Sequence, residues 1–179
     1  LRSSGLAPAW HPGREPVVLI IGLAARAPYR RSPLSSNVRP RMPLDQSLVD
    51  AAIQQALSRF PLGYAGAAAI RTDTGQTLTS VCFDAPNTGA SLCHETGAYC
   101  EANRLGAKVV ASVCVSRSEP GRPFLILAPC GICQERLALW GPDVEVGVAV
   151  PGQPGKWQSR RLSELQPHYW RNAVADAGE

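Results

Sequence analysis

The sequence predicts an α/β fold in which one mixed sheet carries helices on both faces, and three observations predict it. Apolar residues switch between helical and alternating spacing several times over residues 42–179. The elements read α-β-β-α-β-β-α-β-α, which interleaves five strands with helices instead of separating the two kinds. Glycine, proline and Asp/Asn fall at the switches, where turns and caps need them.

The first helix begins after Asp45, an N-cap residue. It carries Leu48, Ala52, Ile53, Ala56, Leu57 and Phe60 on one stripe and ends at Pro61. Tyr64 to Arg71 is a strand of small apolar residues. Thr72-Asp73-Thr74-Gly75 turns the chain into a second strand, Thr77 to Phe83, so the pair reads as a hairpin. A loop with Pro86, Asn87 and Gly89 leads to Cys93, and a helix is predicted from Cys93 to Leu105, capped by Gly106. Val109 to Val115 and Phe124 to Ala128 are strands. Pro129 marks the switch to a helix over Cys130 to Trp140, closed by Gly141. Val144 to Val150 is the fifth strand, and Leu162 to Ala175 a last helical stretch broken at Pro167.

Residues 1–41 differ from the rest. They hold seven Arg and one acid, so the +4 net charge of the whole chain comes from this segment, and residues 42–179 are mildly acidic. No basic stripe for nucleic acid remains there. The segment's apolar run, Val17 to Ala25, is too short to span a bilayer. It can be read as a signal-peptide core before Ala25-Arg26-Ala27. The simpler reading starts the chain at Met42, the only methionine, and makes 1–41 a disordered or non-native extension before a domain over 42–179.

Six cysteines stand at 82, 93, 100, 114, 130 and 133. Cys130 and Cys133, three apart at a helix start, bring both sulfurs to one side near unpaired backbone N–H groups. The helix dipole there favours thiolate. Cys93 opens another helix in the same way. Three thiolates suit a catalytic Zn²⁺, which keeps one coordination position open. Glu95, two residues after Cys93, is placed to take a proton from water and pass it on, as hydrolytic deamination requires. His94 is an alternative ligand, but a Glu two after the ligand favours Cys93. Cys82, Cys100 and Cys114 read as buried free thiols, Cys82 with a chance of lining the pocket. Metal-binding thiolates need a reducing compartment, so the cytoplasm is expected.

With Ala65-Gly66-Ala67-Ala68, Cys93-His94-Glu95, Ala128-Pro129-Cys130-Gly131-Ile132-Cys133 and Leu165-Gln166-Pro167-His168-Tyr169-Trp170, the chain resembles the cytidine deaminase family, including blasticidin-S deaminase, from about Leu48 to Trp170. The resemblance implies a three-layer α/β/α sandwich, Zn²⁺, and a pyrimidine-salvage role on a small aminopyrimidine nucleoside. It also implies a homotetramer, with a dimer as the smaller alternative; the acidic balance of residues 42–179 argues against a nucleic-acid partner, and no membrane partner is expected. The resemblance puts Cys82, Asp84, His94, Ala128 and Trp170 at the substrate, Trp170 in a neighbouring subunit's site.

The resemblance departs at four places. The Asn-x-Glu that grips the ribose in the family falls on Cys82 and Asp84, and a thiol cannot replace the hydrogen bonds of an amide. A Phe expected before the first strand falls on Gly63. The Arg that follows the family's catalytic Glu is Thr96 here. Three thiolates with Zn²⁺ carry a net −1, and His94, Arg104 and Arg136 are the candidates to offset it. Deamination of cytidine or deoxycytidine is therefore expected, with a modified, blasticidin-like nucleoside as the alternative. A structural zinc module, with Cys82 as fourth ligand, is the reading from another class. It leaves Glu95 without a role.

Overall fold

The computed structural model describes residues 44–153 and 155–176. The readings for the leading segment, including the apolar run at 17–25 and the boundary at Met42, lie outside the described residues. In the described part, the order is α1 (Gln46–Arg59), β1 (Ala65–Thr72), β2 (Thr77–Ser80), α2 (Thr96–Arg104), β3 (Val109–Arg117), β4 (Leu125–Leu127), α3 (Gly131–Leu137), β5 (Glu145–Ala149), β6 (Trp157–Arg161), α4 (Leu162–Leu165) and α5 (Trp170–Asp176). Asp45 caps α1 as expected, accepting from the Leu48 amide at 3.2 Å.

The sheet is mixed, with strand order β2-β1-β3-β5-β6 and β4 paired to β3. It has six strands among the described residues, so the expectation of five is corrected. The extra strand, β6, runs antiparallel to β5 at the edge. Its sequence, Trp-Gln-Ser-Arg-Arg, has no apolar run, because an edge strand is partly solvated and carries charges that discourage further pairing.

The remaining pairings are antiparallel except β3 with β5, which are parallel and joined through α3. One edge of β3 is shared. Ala111 and Ser112 pair with β5, while Cys114, Val115 and Ser116 pair with β4. β4 therefore ends opposite Cys114 and delivers Ala128, Pro129 and Cys130 to the middle of the sheet.

Both faces of β1 are buried, and the strand alternation divides the core in two. Ala65, Ala67 and Ala69 lie with Val113 and Val115 under Leu48 and Ala52 of α1. Ile70 lies on the other face with Ala98, Tyr99, Leu137 and Leu162 from α2, α3 and α4. Helices thus cover both faces, the α/β/α layering that was expected. Gly97 lets α2 sit close on β2, since a Cβ there would lie 2.9 Å from the Ser80 Cβ. No helix among the described residues is long and apolar enough to cross a membrane.

Candidate metal and proton-transfer site

Two helix beginnings meet on the α2/α3 face. α2 starts at Thr96, so Cys93 lies on the turn that leads into the helix and not in its first turn, which corrects the predicted helix start. The turn is closed by the Thr96 amide on the Cys93 carbonyl at 3.1 Å. Cys130 is the N-cap of α3, and Cys133 lies buried one turn on. The Gln134 side chain holds the Pro129 carbonyl at 2.8 Å, fixing the entry to α3.

The sulfurs of Cys93, Cys130 and Cys133 all lie within 4.8 Å of one another, and those of Cys93 and Cys130 are 3.5 Å apart. Burial pushes the Cys93 and Cys133 thiols up, and neighbouring Cys130 and Glu95 add to this in both. Burial also raises Cys130, but the Cys133 and Ile132 amides and the two partner thiols outweigh it and bring that thiol below its ordinary value. A divalent cation is what would let three such crowded groups ionise together, so the donor set fits Zn²⁺.

Glu95 is 4 % exposed and lies beside this group, its carboxylate acting through space on Cys93, Cys133, Cys114 and His94. His94 is not among the three sulfurs. It forms a second group with Glu95 and Cys114, again with ligand atoms within 4.8 Å. Burial drives the Cys114 thiol far up, and Glu95 and the neighbouring thiols add to this. Burial likewise holds the His94 imidazole below its ordinary value, against the carboxylates of Glu95 and Asp84. Its ring meets the Tyr64 hydroxyl at 3.0 Å, and Ser80 Oγ donates to its carbonyl.

Cys82 is half-buried, and its thiol donates to Asp84 Oδ2 at 3.5 Å, outside the group of three sulfurs. Asp84 and Ala128 are exposed. Cys114 is buried as expected, but Cys100 is exposed, because it lies on the outer side of α2. Trp170, 60 % exposed, opens α5 and donates to Glu135 of α3 at 3.4 Å.

Of the three candidate cations, Arg104 is an exposed partner of Glu101 at 2.7 Å and His94 is held by Tyr64. Arg136 reaches across from α3 and donates to Thr96 Oγ1 at 2.7 Å. It ties the last turn of α3 to the first residue of α2. Sequence spacing did not single it out, because the contact spans 40 residues. Tyr64 was also not singled out, although its place just ahead of Ala65-Gly66-Ala67-Ala68 was the available signal.

No family model matches this chain. It is 30% identical over 109 residues to a blasticidin-S deaminase from Bacillus cereus, a match that spans 59% of this chain and 76% of that protein. Its fold is similar to the crystal structure of the cytidine deaminase from Bacillus anthracis, at 40% identity and a TM-score of 0.68, over 74% of this chain and 93% of that one. The cytidine deaminase from Mycobacterium tuberculosis is similar at 27% identity and a TM-score of 0.52, over 70% of this chain and 95% of that one.

Proposed function

Because this chain belongs to the cytidine deaminase family, we propose that it is a zinc-dependent aminohydrolase that converts cytidine or deoxycytidine to uridine or deoxyuridine and ammonia. The observation that carries this reading is the convergence of Cys93, Cys130 and Cys133 from two helix beginnings beside a buried Glu95. Cys93, Cys130 and Cys133 are the ligands in this reading, and Glu95 is the catalytic acid and base.

The thiolates of Cys93, Cys130 and Cys133 would hold the Zn²⁺, which would supply the Lewis acidity that makes water a nucleophile at neutral pH. Glu95 takes the proton that water gives up and delivers it to the ring nitrogen next to the reacting carbon. The C–NH2 carbon gains oxygen, and a second proton carried by Glu95 lets the amine leave as ammonia. Burial of Glu95 keeps bulk water from competing for these protons. Arg136, on the last turn of α3 and bonded to Thr96, brings a positive charge to the start of α2 and offsets part of the negative charge of three thiolates around one divalent ion.

A second reading has specific support. The Bacillus cereus relative is a blasticidin-S deaminase, and Cys82 and Asp84 stand where a ribose grip is expected. A modified aminopyrimidine nucleoside is therefore the alternative substrate. The structural zinc module is disfavoured, since Cys82 pairs with Asp84 and a fourth sulfur is not in the group. We extend the same reading to a cytoplasmic homotetramer with Trp170 contributed to a neighbouring site, which light scattering and a Trp170→Ala variant test.

Ammonia release from cytidine, deoxycytidine, cytosine, blasticidin S and a single-stranded oligonucleotide decides the substrate. Turnover of cytidine or deoxycytidine above the others supports the first reading. Preference for blasticidin S supports the second, and turnover of the oligonucleotide alone overturns both.

A further inference from the structure

Proton transfer by Glu95 leaves two neighbouring side chains unused, Tyr64 and His94. Gly63, at φ +74°, turns the chain into β1 and sets the direction of Tyr64 just ahead of the strand. Tyr64 Oη then meets His94 Nε2 at 3.0 Å, with the ring centroids 6.2 Å apart. The pair lies across Gly66. A Cβ on that residue would collide with the imidazole and come within 2.8 Å of the Tyr64 hydroxyl. The strand thus has room for this pair only because residue 66 has no side chain.

The imidazole stands between Glu95 and Tyr64. One of its nitrogens is within 4.8 Å of a Glu95 carboxylate oxygen, and Nε2 is bonded to the phenol. An imidazole is about as wide as the pyrimidine ring beside which it would lie. A pyrimidine lying alongside the imidazole with its amine toward Glu95 would direct its far substituent toward Tyr64, which is 47% exposed. The Asp84 carboxylate, which carries the Cys82 thiol, also acts through space on His94. The groups around this end are a phenol, a thiol and the Asp84 carboxylate. They suit hydroxyl groups, and the carboxylate repels phosphate.

We propose that Tyr64, held in place by His94, is a specificity-determining residue that hydrogen-bonds the sugar hydroxyls of an unphosphorylated nucleoside. This rests on the deaminase reading for its substrate class and names the part of the substrate that the altered Cys82 and Asp84 positions leave to be gripped.

The test compares zinc-loaded full-length wild type with Tyr64→Phe. Ammonia release is measured from cytidine, cytidine monophosphate and cytosine, and calorimetry measures uridine and uracil binding. A bond to a non-reacting hydroxyl acts equally before and during the reaction, so KM for cytidine rises about three- to tenfold with kcat unchanged. Uridine affinity falls by the same factor, cytosine and uracil are unaffected, and wild type prefers cytidine to its monophosphate. Equal KM and equal uridine affinity in the two proteins overturn the proposal, as does a matched loss on cytosine and uracil, which marks a structural role. If wild type releases no ammonia from any compound yet binds uridine through Tyr64, the deaminase reading fails and this proposal stands. If it binds uridine no better than uracil, the proposal fails whatever the turnover.

Discussion

On the α1 face, the sheet buries Ala65, Ala67, Ala69, Val113 and Val115 beneath Leu48 and Ala52, all of them aliphatic. On the α2/α3 face, it buries Glu95, Cys133 and a Tyr99–Ser112 hydroxyl pair at 2.9 Å alongside Ile70 and Leu137. Polar burial costs stability unless it is satisfied, so the second face carries groups that a purely structural core would omit. The polar exception on the first face is Arg71, whose guanidinium is met by Asp45 at 3.2 Å and by Ser47 at 2.8 Å. Its role is to hold the start of α1. The difference teaches that one face supplies rigidity and the other uses that rigidity to hold reactive groups close together.

Substitutions on the two faces should therefore fail in different ways. The largest effect is expected for Glu95→Gln, which keeps the shape and removes the proton carrier. Its kcat falls roughly 10²–10⁴-fold, while zinc content and melting temperature stay at wild-type values. Leu48→Ala should do the reverse. Denaturant unfolding should show a loss of about 2–5 kcal/mol, the range for a leucine taken from a packed core. Turnover per zinc-loaded folded molecule should be unchanged.

Arg136→Ala tests the link between the last turn of α3 and the start of α2. Chelator competition should show zinc held about 10–100-fold more weakly, with partial recovery in Arg136→Lys. The smallest effect on turnover belongs to Asp45→Ala, which removes a helix cap worth about 0.5–2 kcal/mol and also takes the carboxylate partner from the buried Arg71, so its loss of stability exceeds that of the cap alone. Hydrogen bonds from Ser47 and Arg71 hold the Asp45 carboxyl down to about 2, against an ordinary 3.8. The folded state therefore favours the ionised form. Its advantage over the variant is complete above the ordinary value and shrinks as pH falls toward about 2. Because this side chain is 47% exposed, salt should weaken the effect further. Unfolding curves of both proteins across that pH range check the sign.

Much of this contrast is legible in the sequence, for local reasons. The α1 stripe, its Asp45 cap, and the sulfurs at 130 and 133 are set by spacings of three or four residues, which the helix itself converts into position. Cys93 and Glu95 were readable as a pair, but the helix start was placed early, since a turn before a helix leaves no mark in apolar spacing. β6 escaped because a half-solvated edge strand has little periodicity. Cys100 was expected inside and is exposed, because a single thiol on a short helix does not reveal which face it occupies. Arg136 against Thr96 and Tyr64 against His94 are contacts across 40 and 30 residues, created only when the sheet brings the segments together.

The central claim is that the three sulfurs hold a catalytic ion and not a structural one. X-ray absorption at the zinc edge of the purified full-length protein tests it most directly. The account predicts one zinc per chain with three sulfur donors near ~2.3 Å and one lighter donor. Four sulfur donors, or zinc retained in a Cys93→Ser, Cys130→Ser double variant, would contradict it.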